Sequence, residues 1–512
     1  MKIAYVSPLP PVRSGIAQYS ALLLPALAER LDVVAVVDQE SVDAQGVPVI
    51  RAEELERKRG EFDAVVCQLG NNRHHEYAWR VANLGDAVIV LHDIVMHHLL
   101  VEMTIARGDA KSLDDALSSM YGDAGSAIAA ARTHGIHDDL PNFLYPASEG
   151  VARSARHVIV HNRWAAERLR SNGVTTPLTV APLAYGDVPP LNLEERDELR
   201  RRLGFEPRHR VIGVFGFVTH AKRPAAVMQA FGEARRSNDE LRLLFVGEPA
   251  HNVDLDELAT EAGLPVGTWA KTGFVSDDEF DRHLGAVDRI ANLRYPSAGE
   301  TSGPLMHAFA IGRPVAVSDY AQFADFPPNI VTRIPFEREI DSLARFMLTE
   351  LDTDAIGAAQ RAWLRDTSTL DHAVQAYVTA LELRDSRVAP VQLAPLTALP
   401  LFPRLSAELV AVERQGGSVA LTVRVSNEGD ATIPAALSGQ PPFVLFARVV
   451  APGDADANVA VTLSGDLTPG RSALVTIVVD CDVARFTLEL RHGLGGIPDV
   501  ARPSFYAREV WV

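Results

Sequence analysis

Short apolar runs recur along the first 320 positions of the chain, each followed by a turn-rich loop and then a stretch with helical spacing. Lys2 to Val6 is the first run and ends in Ser7-Pro8. From Ala17 to about Arg30, Leu22, Leu23, Ala26 and Leu27 share one helical face. Val33 to Val37 is the next run. This strand–loop–helix–strand alternation predicts a parallel sheet covered by helices. Ala64 to Leu69, Ala87 to Leu91, Val158 to His161 and Leu178 to Pro182 read as its further strands. Residues 99–150 read as mainly helical, with several glycines.

The pattern then starts again. Tyr185 to Leu193 carries glycine and two prolines and is expected to be a hinge. A charged helix over Asn192 to Leu203 leads to a strand over Val211 to Val218 and a helix from Ala225 to about Arg236. Leu241 to Val246 and Trp269 to Phe274 read as strands, and Asp277 to Ala286 as a helix. Ile290 to Leu293 is a buried strand. A loop with Pro296, Gly299 and Gly303 follows it, and then a helix opened by Pro304 with Leu305, Ala308 and Phe309 facing a core. Gly312 closes that helix, and Val315 to Val317 returns as a strand. From about Ala359 to Arg384 the chain reads as helical. Val388 to Pro403 lacks periodicity and reads as a linker. Beyond it the period changes to two, with strands at Val419–Val425, Phe443–Val449, Val459–Leu463, Ala473–Val479, Phe486–Arg491 and Arg508–Val512. Short strands at this spacing predict a small β-sandwich. The expected domains are 1–187, 188–385, a linker over 386–402, and a β module over 403–512.

A chain of 512 residues is too long for a single core. Acidic residues outnumber basic ones by 66 to 49, for a formal charge of −17. That balance argues against a nucleic-acid partner. Cys67 and Cys481 are far apart in sequence and neither has a partner at metal-ligand spacing, which points to a reducing compartment. The first residues are interrupted by prolines too soon for a signal peptide. No apolar run approaches the ~20 residues of a membrane helix. The expectation is a cytoplasmic protein, with room for peripheral contact at the inner face of the cell membrane.

In doubly wound folds, ligands sit at the carboxyl ends of the strands. The loop after Leu293 ends at a helix start, where the amides of Thr301, Ser302 and Gly303 and the helix dipole can hold a phosphate. Beside them Glu300 is suited to accept hydrogen bonds from sugar hydroxyls. The plainer reading makes Glu300 a solvated loop residue and Ser302 an N-cap. Gly15, in the first loop, permits close approach of a ligand to the backbone. There is no Gly-x-Gly-x-x-Gly, which argues against a dinucleotide-binding enzyme. Gly70-Asn-Asn-Arg-His-His-Glu76 is a dense polar loop at a strand end, either functional or a capping network. His92-Asp93 ends another strand.

Glu300-Thr-Ser-Gly-Pro304, with His307-Ala-Phe-Ala-Ile-Gly-Arg-Pro-Val315 after it, resembles the donor-site motif of retaining family-4 glycosyltransferases, which have the GT-B fold. The usual pattern has a second Glu where this chain has His307, and one more residue between the two. The resemblance implies that Glu300 holds the donor sugar and that His307 takes over, less well, a contact to ribose hydroxyls. Gly216 matches the glycine of a second family motif. The Arg that follows it in the family is Phe217 here. Lys222 keeps the family's Lys, which neutralises the donor diphosphate, and Arg223 either substitutes for the missing charge or faces solvent. His92 matches a His near the anomeric carbon. Gly15 faces the phosphates or the acceptor, and backbone from Thr272 through Phe274 to Val275 passes the base.

The resemblance thus implies α/β GT-B architecture: two Rossmann-like domains facing a cleft, plus the β module. Glu300, His92 and Lys222 would carry catalysis. The donor would be a nucleotide sugar and the acceptor a glycan or a lipid-linked molecule, with no resident cofactor and no metal. The end of a GT-B chain usually crosses back onto the first domain. The β module resembles, weakly, the immunoglobulin-like modules of bacterial polysaccharide enzymes and exporters, with oligomerisation, glycan binding or buttressing as open roles. A non-catalytic glycan- or nucleotide-binding protein on the same fold is the alternative.

Overall fold

A computed structural model of the chain describes residues 1–135, 142–143, 145–185, 188, 190–383, 405–415, 418–428, 443–449, 458–462, 467, 470–480, 485–492 and 504–511. The linker, Gly186 of the hinge and Cys481 lie outside these. The chain divides into two compact units, Met1–Arg107 with Pro146–Leu393, and Gly108–Tyr145 with Ala394–Val512.

The first unit holds two parallel sheets. One is built from β1 (Lys2–Val6), β2 (Asp32–Val37), β3 (Val49–Arg51), β4 (Ala64–Leu69), β5 (Val88–Leu91), β6 (His157–Val160) and β7 (Leu178–Val180). Their order is β3-β2-β1-β4-β5-β6-β7. The second sheet contains β8 (Arg210–Phe215), β9 (Leu241–Val246), β10 (Trp269–Lys271), β11 (Arg289–Asn292), β12 (Val315–Ser318) and β13 (Thr332–Ile334), in the order β10-β9-β8-β11-β12-β13. In both sheets the order reverses beside the first strand, which opens a crevice at the carboxyl ends. The central strand β4 is buried at every position, as expected for a strand covered on both faces. One of its residues, Gln68, is polar and fully buried.

The expected elements are recovered with shifted ends. The helix of the first loop runs Gly15–Ala28, started by Ser14, whose side chain accepts from the Ile16 N–H. β8 stops at Phe215 because Gly216, at φ 82°, turns the chain out of the sheet. The helical stretch expected from about Ala359 to Arg384 falls in two helices, Thr353–Thr367 and Leu370–Glu382. Thr369 caps the second by accepting from the His372 N–H at 3.2 Å, a competing bond that ends the first. β3 and β13 were too short to show a period.

Helix Leu370–Glu382 packs on the first sheet. Its Ala373, Val374, Tyr377, Ala380 and Leu381 share one core with Ile3, Tyr5, Tyr19, Val66 and Val88. In the second sheet, Asp288 locks the start of β11. Its carboxylate accepts from the Val211 N–H at 2.7 Å and from Arg200 Nη2 at 2.7 Å, and Arg196 Nη2 is 2.9 Å away. Arg200 is fully buried and also donates to the carbonyls of Ala286 and His209.

In the second unit, helices Ala110–Tyr121 and Asp123–Thr133 pack as a pair. The C-terminal strands form two antiparallel sheets, β14-β15-β18 and β17-β16-β19-β20. Here β14 is Leu405–Gln415, β15 Ser418–Asn427, β16 Phe443–Val449, β17 Asn458–Thr462, β18 Ser472–Asp480, β19 Arg485–His492 and β20 Ser504–Trp511. Buried Leu421 and Val423 on β15 stand opposite buried Ile477 and Val475 on β18. The alternation is the period-two pattern of the sequence. β14 was not expected, because its Glu, Arg and Gln residues dilute that pattern.

Asp288→Ala leaves Arg200 buried without its counter-charge. The loss is expected to cost about 3 kcal/mol. Urea unfolding followed by circular dichroism measures it, and Asp288→Asn, which keeps an acceptor oxygen, is expected to lose less.

Candidate functional site

The loop from β11 to helix Gly303–Ile311 lies at the carboxyl edge of the second sheet. Glu300 is held there on both oxygens. Oε1 lies 2.6 Å from Arg294 Nε, and Oε2 accepts the Ala298 N–H at 2.9 Å. Gln322 Nε2 donates to the Glu300 carbonyl at 2.7 Å. Glu300 is half-buried and Arg294 buried. Ser302 caps the helix, accepting from the Leu305 N–H, and its hydroxyl donates to Asn292 Oδ1 at 3.1 Å. A methyl placed on Gly303 would meet nothing within 4 Å. The helix start therefore faces open space, with a carboxylate at its side that is tied back rather than folded over the amides.

The cations differ from expectation. The Lys222 ammonium is buried and donates to the Phe215 carbonyl. Burial, then the positive charge of Arg294, push it well below the usual lysine range, and Glu300 partly offsets them. Gly216 is needed here twice: its φ is 82°, and a Cβ would sit 2.8 Å from the Lys222 ammonium. Arg223 neither replaces a donor-site charge nor faces solvent. Its guanidinium is paired with buried Glu339, Nε to Oε1 at 3.1 Å and Nη2 to Oε2 at 2.7 Å. Phe217, at the position of the family's Arg, is 58% exposed. The cation that does join Glu300 is Arg294, a residue the sequence reading passed over. Its signal was a charge at the end of the apolar run Ile290 to Leu293.

The opposite wall comes from the first sheet. His92 follows β5 and is half-buried. Its Nε2 donates to Gln68 Oε1 at 2.8 Å. Gln68 Nε2 donates to the Tyr377 hydroxyl at 3.3 Å, so the C-terminal helix fixes the His92 ring through one intermediary. The His161 ring centroid lies 4.5 Å from that of His92, and Tyr19 stands edge-on to both at 5.3 Å. Desolvation first, then the neighbouring His161 and His75, hold His92 well below the usual histidine range. Burial takes His75 and His161 down to about 4. All three imidazoles are neutral at neutral pH. Asp93 is pushed up to about 7 by desolvation and then by the Glu300 charge across the cleft, against the Asn71 N–H and Arg294. Gln68, His161 and Tyr377 carry no site motif in the sequence; for Gln68 the clue was a polar residue inside an apolar run.

The loop Gly70 to Glu76 is largely a capping network. Asn72 caps His74, Asn71 Oδ1 accepts the Leu99 N–H at 3.1 Å, and Glu76 pairs with Arg80 and Arg107. Gly15 opens the first helix with nothing within 4 Å of a Cβ. Thr272 N–H donates to the Phe245 carbonyl at 3.0 Å and its hydroxyl to the Gly273 carbonyl at 2.8 Å. Phe274 is 56% exposed, and the Arg13 guanidinium from the first loop lies 4.7 Å above its ring. His307 turns toward helix Asp277–Ala286, where its Nδ1 is 2.7 Å from Asp281 Oδ1. Glu300, Thr301, Ser302, Lys222, His92 and Asp93 thus gather around one crevice, while Arg223 belongs to the framework. Among the described residues no group of three or more His, Cys, Asp or Glu could hold a metal ion, and no helix is long and apolar enough to cross a membrane.

No protein-family model matches the chain, and no curated protein matches it in sequence. Solved structures do. The Anabaena protein HepE, in complex with UDP and glucose, superposes with a TM-score of 0.53 at 15% identity, over 74% of this chain and 99% of that one. A glycosyltransferase from Rickettsia africae gives 0.52 at 13% identity, over 75% and 99%. Sucrose-phosphate synthase from Thermosynechococcus elongatus gives 0.51 at 12% identity, over 74% and 98%. The fold is GT-B, two Rossmann-like domains facing a cleft.

Two predictions follow from this geometry. Arg223→Ala is expected to destabilise the fold by about 3 kcal/mol, because it breaks the buried pair with Glu339 by removing one partner; thermal unfolding against Glu339→Gln checks it. The folded protein keeps the Asp93 proton up to about pH 7, whereas the unfolded chain releases it near 3.8. The neutral carboxyl therefore stabilises fully below about pH 3.8, and that contribution is lost as pH rises through about 7. Melting temperatures of wild type and Asp93→Asn should diverge in favour of the variant between pH 5 and about pH 8.

Proposed function

We propose that the chain is a retaining glycosyltransferase of the family-4 type, moving a sugar from a nucleotide-sugar donor to a glycan or a lipid-linked acceptor. The observation that carries this reading is the Glu300 loop. It sets a carboxylate, tied to Arg294, beside the open start of helix Gly303–Ile311. A carboxylate suits sugar hydroxyls, and free helix amides suit a phosphate. Nucleotide sugars present both groups on one molecule.

In this reading Thr301, Ser302 and Gly303 face the diphosphate, with Lys222 behind them, and Glu300 takes the sugar. Burial lowers the Lys222 pKa, and an arriving anion opposes that shift and favours the charged ammonium. Negative charge develops on the leaving diphosphate, where fixed dipoles stabilise the transition state. The bond from the anomeric carbon to phosphate oxygen breaks and that to the acceptor oxygen forms on the same face. The acceptor proton passes to the departing phosphate. His92, neutral and with its Nε2–H given to Gln68, leaves Nδ1 to accept a hydrogen bond from a hydroxyl of the transferred sugar. These groups supply the charge the reaction asks for, so we propose no resident cofactor or metal.

Arg13 and Phe274 face the base, with backbone around Thr272. HepE was solved with UDP and glucose, which makes uridine donors the first to test. The proposed setting is the cytoplasm at the inner face of the cell membrane, in polysaccharide or cell-envelope synthesis. The proposed domain limits are 1–187, 188–385 and 403–512, the last an immunoglobulin-like module for glycan binding or oligomerisation.

A second reading, a nucleotide- or glycan-binding protein without turnover, draws on Phe217 and on the engagement of His307 by Asp281.

A thermal-shift panel of UDP, GDP, ADP and TDP and their sugars decides between them, followed by a turnover assay with the donor that binds. A ligand at 100 times its Kd adds about 2.7 kcal/mol. Glu300→Ala is expected to keep the nucleoside diphosphate shift, lose the added shift from the sugar, and lower turnover by about 100-fold or more. Binding with no turnover by wild type favours the second reading.

A further inference from the structure

Asn162 stands on the loop after β6, in the first domain, yet its side chain serves both domains. Its Oδ1 accepts the Ala165 N–H at 2.8 Å and so caps helix Arg163–Ser171. Its Nδ2 reaches across the cleft and donates to the Gly299 carbonyl at 2.7 Å and to Thr301 Oγ1 at 3.1 Å. Those two acceptors flank Glu300. A second cross-cleft bond runs from the Ile94 N–H, one residue beyond Asp93, to the Ala298 carbonyl at 2.8 Å. Between them Gly299 lies flat on the first domain. Its φ is 74°, and a Cβ there would come within 3.1 Å of Trp164, 3.2 Å of Ala165 and 3.3 Å of Ile94. The residues from Ala298 to Thr301 are therefore docked on the opposite domain by two bonds from one amide, one from a backbone N–H, and a contact that leaves no room for a side chain.

We infer that Asn162 is a positioning residue that sets the Glu300 carboxylate by docking its loop across the cleft, an inference that rests on the glycosyl-transfer reading for its catalytic consequence. The amide is suited to the task because its two ends act independently. The oxygen is fixed by the helix it caps, which points the NH2 at the loop. Glu300 takes its own orientation from Ala298 N–H and Arg294. A loop that lifts off Asn162 carries the Ala298 amide, and hence the carboxylate, away from His92 and Asp93. Misplacing a reacting sugar by about 1 Å can cost 100-fold in rate. Phosphate binding at the helix start, by contrast, rests on the backbone amides of Thr301, Ser302 and Gly303, and of these residues Asn162 touches only the Thr301 hydroxyl. The loss should therefore fall on kcat more than on KM.

The test uses the full chain with Asn162→Asp and Asn162→Ser. Both keep an oxygen able to cap the helix and both remove the amide donor, one adding charge and the other none. Hydrogen exchange is measured over 294–303, at Ile94, and over 163–171 as an internal control. Kinetics are measured with whichever nucleotide sugar wild type turns over. The expected result is exchange faster by about tenfold at 298–301 and at Ile94 in both variants, unchanged exchange over 163–171, and kcat lowered at least tenfold with KM within about threefold. Unchanged exchange at 298–301 and Ile94 overturns the docking role whatever the kinetics show. Faster exchange with unchanged kcat overturns the positioning role. If wild type turns over no nucleotide sugar but the variants still speed exchange at both places, docking by Asn162 stands and the glycosyl-transfer reading falls.

Discussion

The candidate site depends on holding a carboxylate beside a helix start without letting it fill that start. A free Glu two residues before the cap would be drawn onto the exposed amides, because the helix dipole favours negative charge there. Two features prevent it. Ser302 takes the cap, and Arg294 with the Ala298 amide pulls Glu300 back. The same charge pair is felt elsewhere. Arg294 helps hold the Lys222 ammonium below its usual range, and Glu300 helps lift Asp93 on the facing wall. One half-buried ion pair thus couples the protonation of groups in both domains.

That coupling needs the two domains to hold a definite spacing, and the structure supplies it with ordinary packing. The C-terminal helix Leu370–Glu382 returns to the first sheet, and its Tyr377 reaches Gln68 beneath His92. Framework and site therefore share residues. Arg223 and Glu339 show the other outcome, a charged pair inside a motif region that does structural work only. A cation next to Lys222 in sequence is not next to the same ligand in space. Arg223 has φ 61° and ψ 40°, a left-handed turn that sends its side chain away from the loop.

Two positions depart from the motif that the sequence resembles, and their electrostatic consequences are opposite in sign. Phe217 brings a ring and no positive charge, while His307 brings an imidazole engaged by Asp281 and no carboxylate. Arg13, over Phe274, adds a cation from the facing domain at another point of the rim.

Most of the fold was legible in the sequence, for a reason visible in β4: a strand buried on both faces reads as a nearly continuous apolar run, and the helices between such strands must show one apolar face. Edge strands of three residues, such as β3 and β13, carry no period and escaped notice. Of the site, the sequence determined what stands at each strand end: Glu300, the helix start, His92 and Lys222. It did not determine partners, because hydrogen bonds and ion pairs join residues that the chain separates widely. Asn162 meets Gly299 across 137 positions and Gln68 meets Tyr377 across 309. Arg294 is only six residues from Glu300, yet their pairing depends on a loop shape fixed by Ser297, Gln322 and the facing domain. Local sequence set the chemistry available at each strand end, and tertiary structure alone decided which charges face the crevice and which are taken up inside the framework.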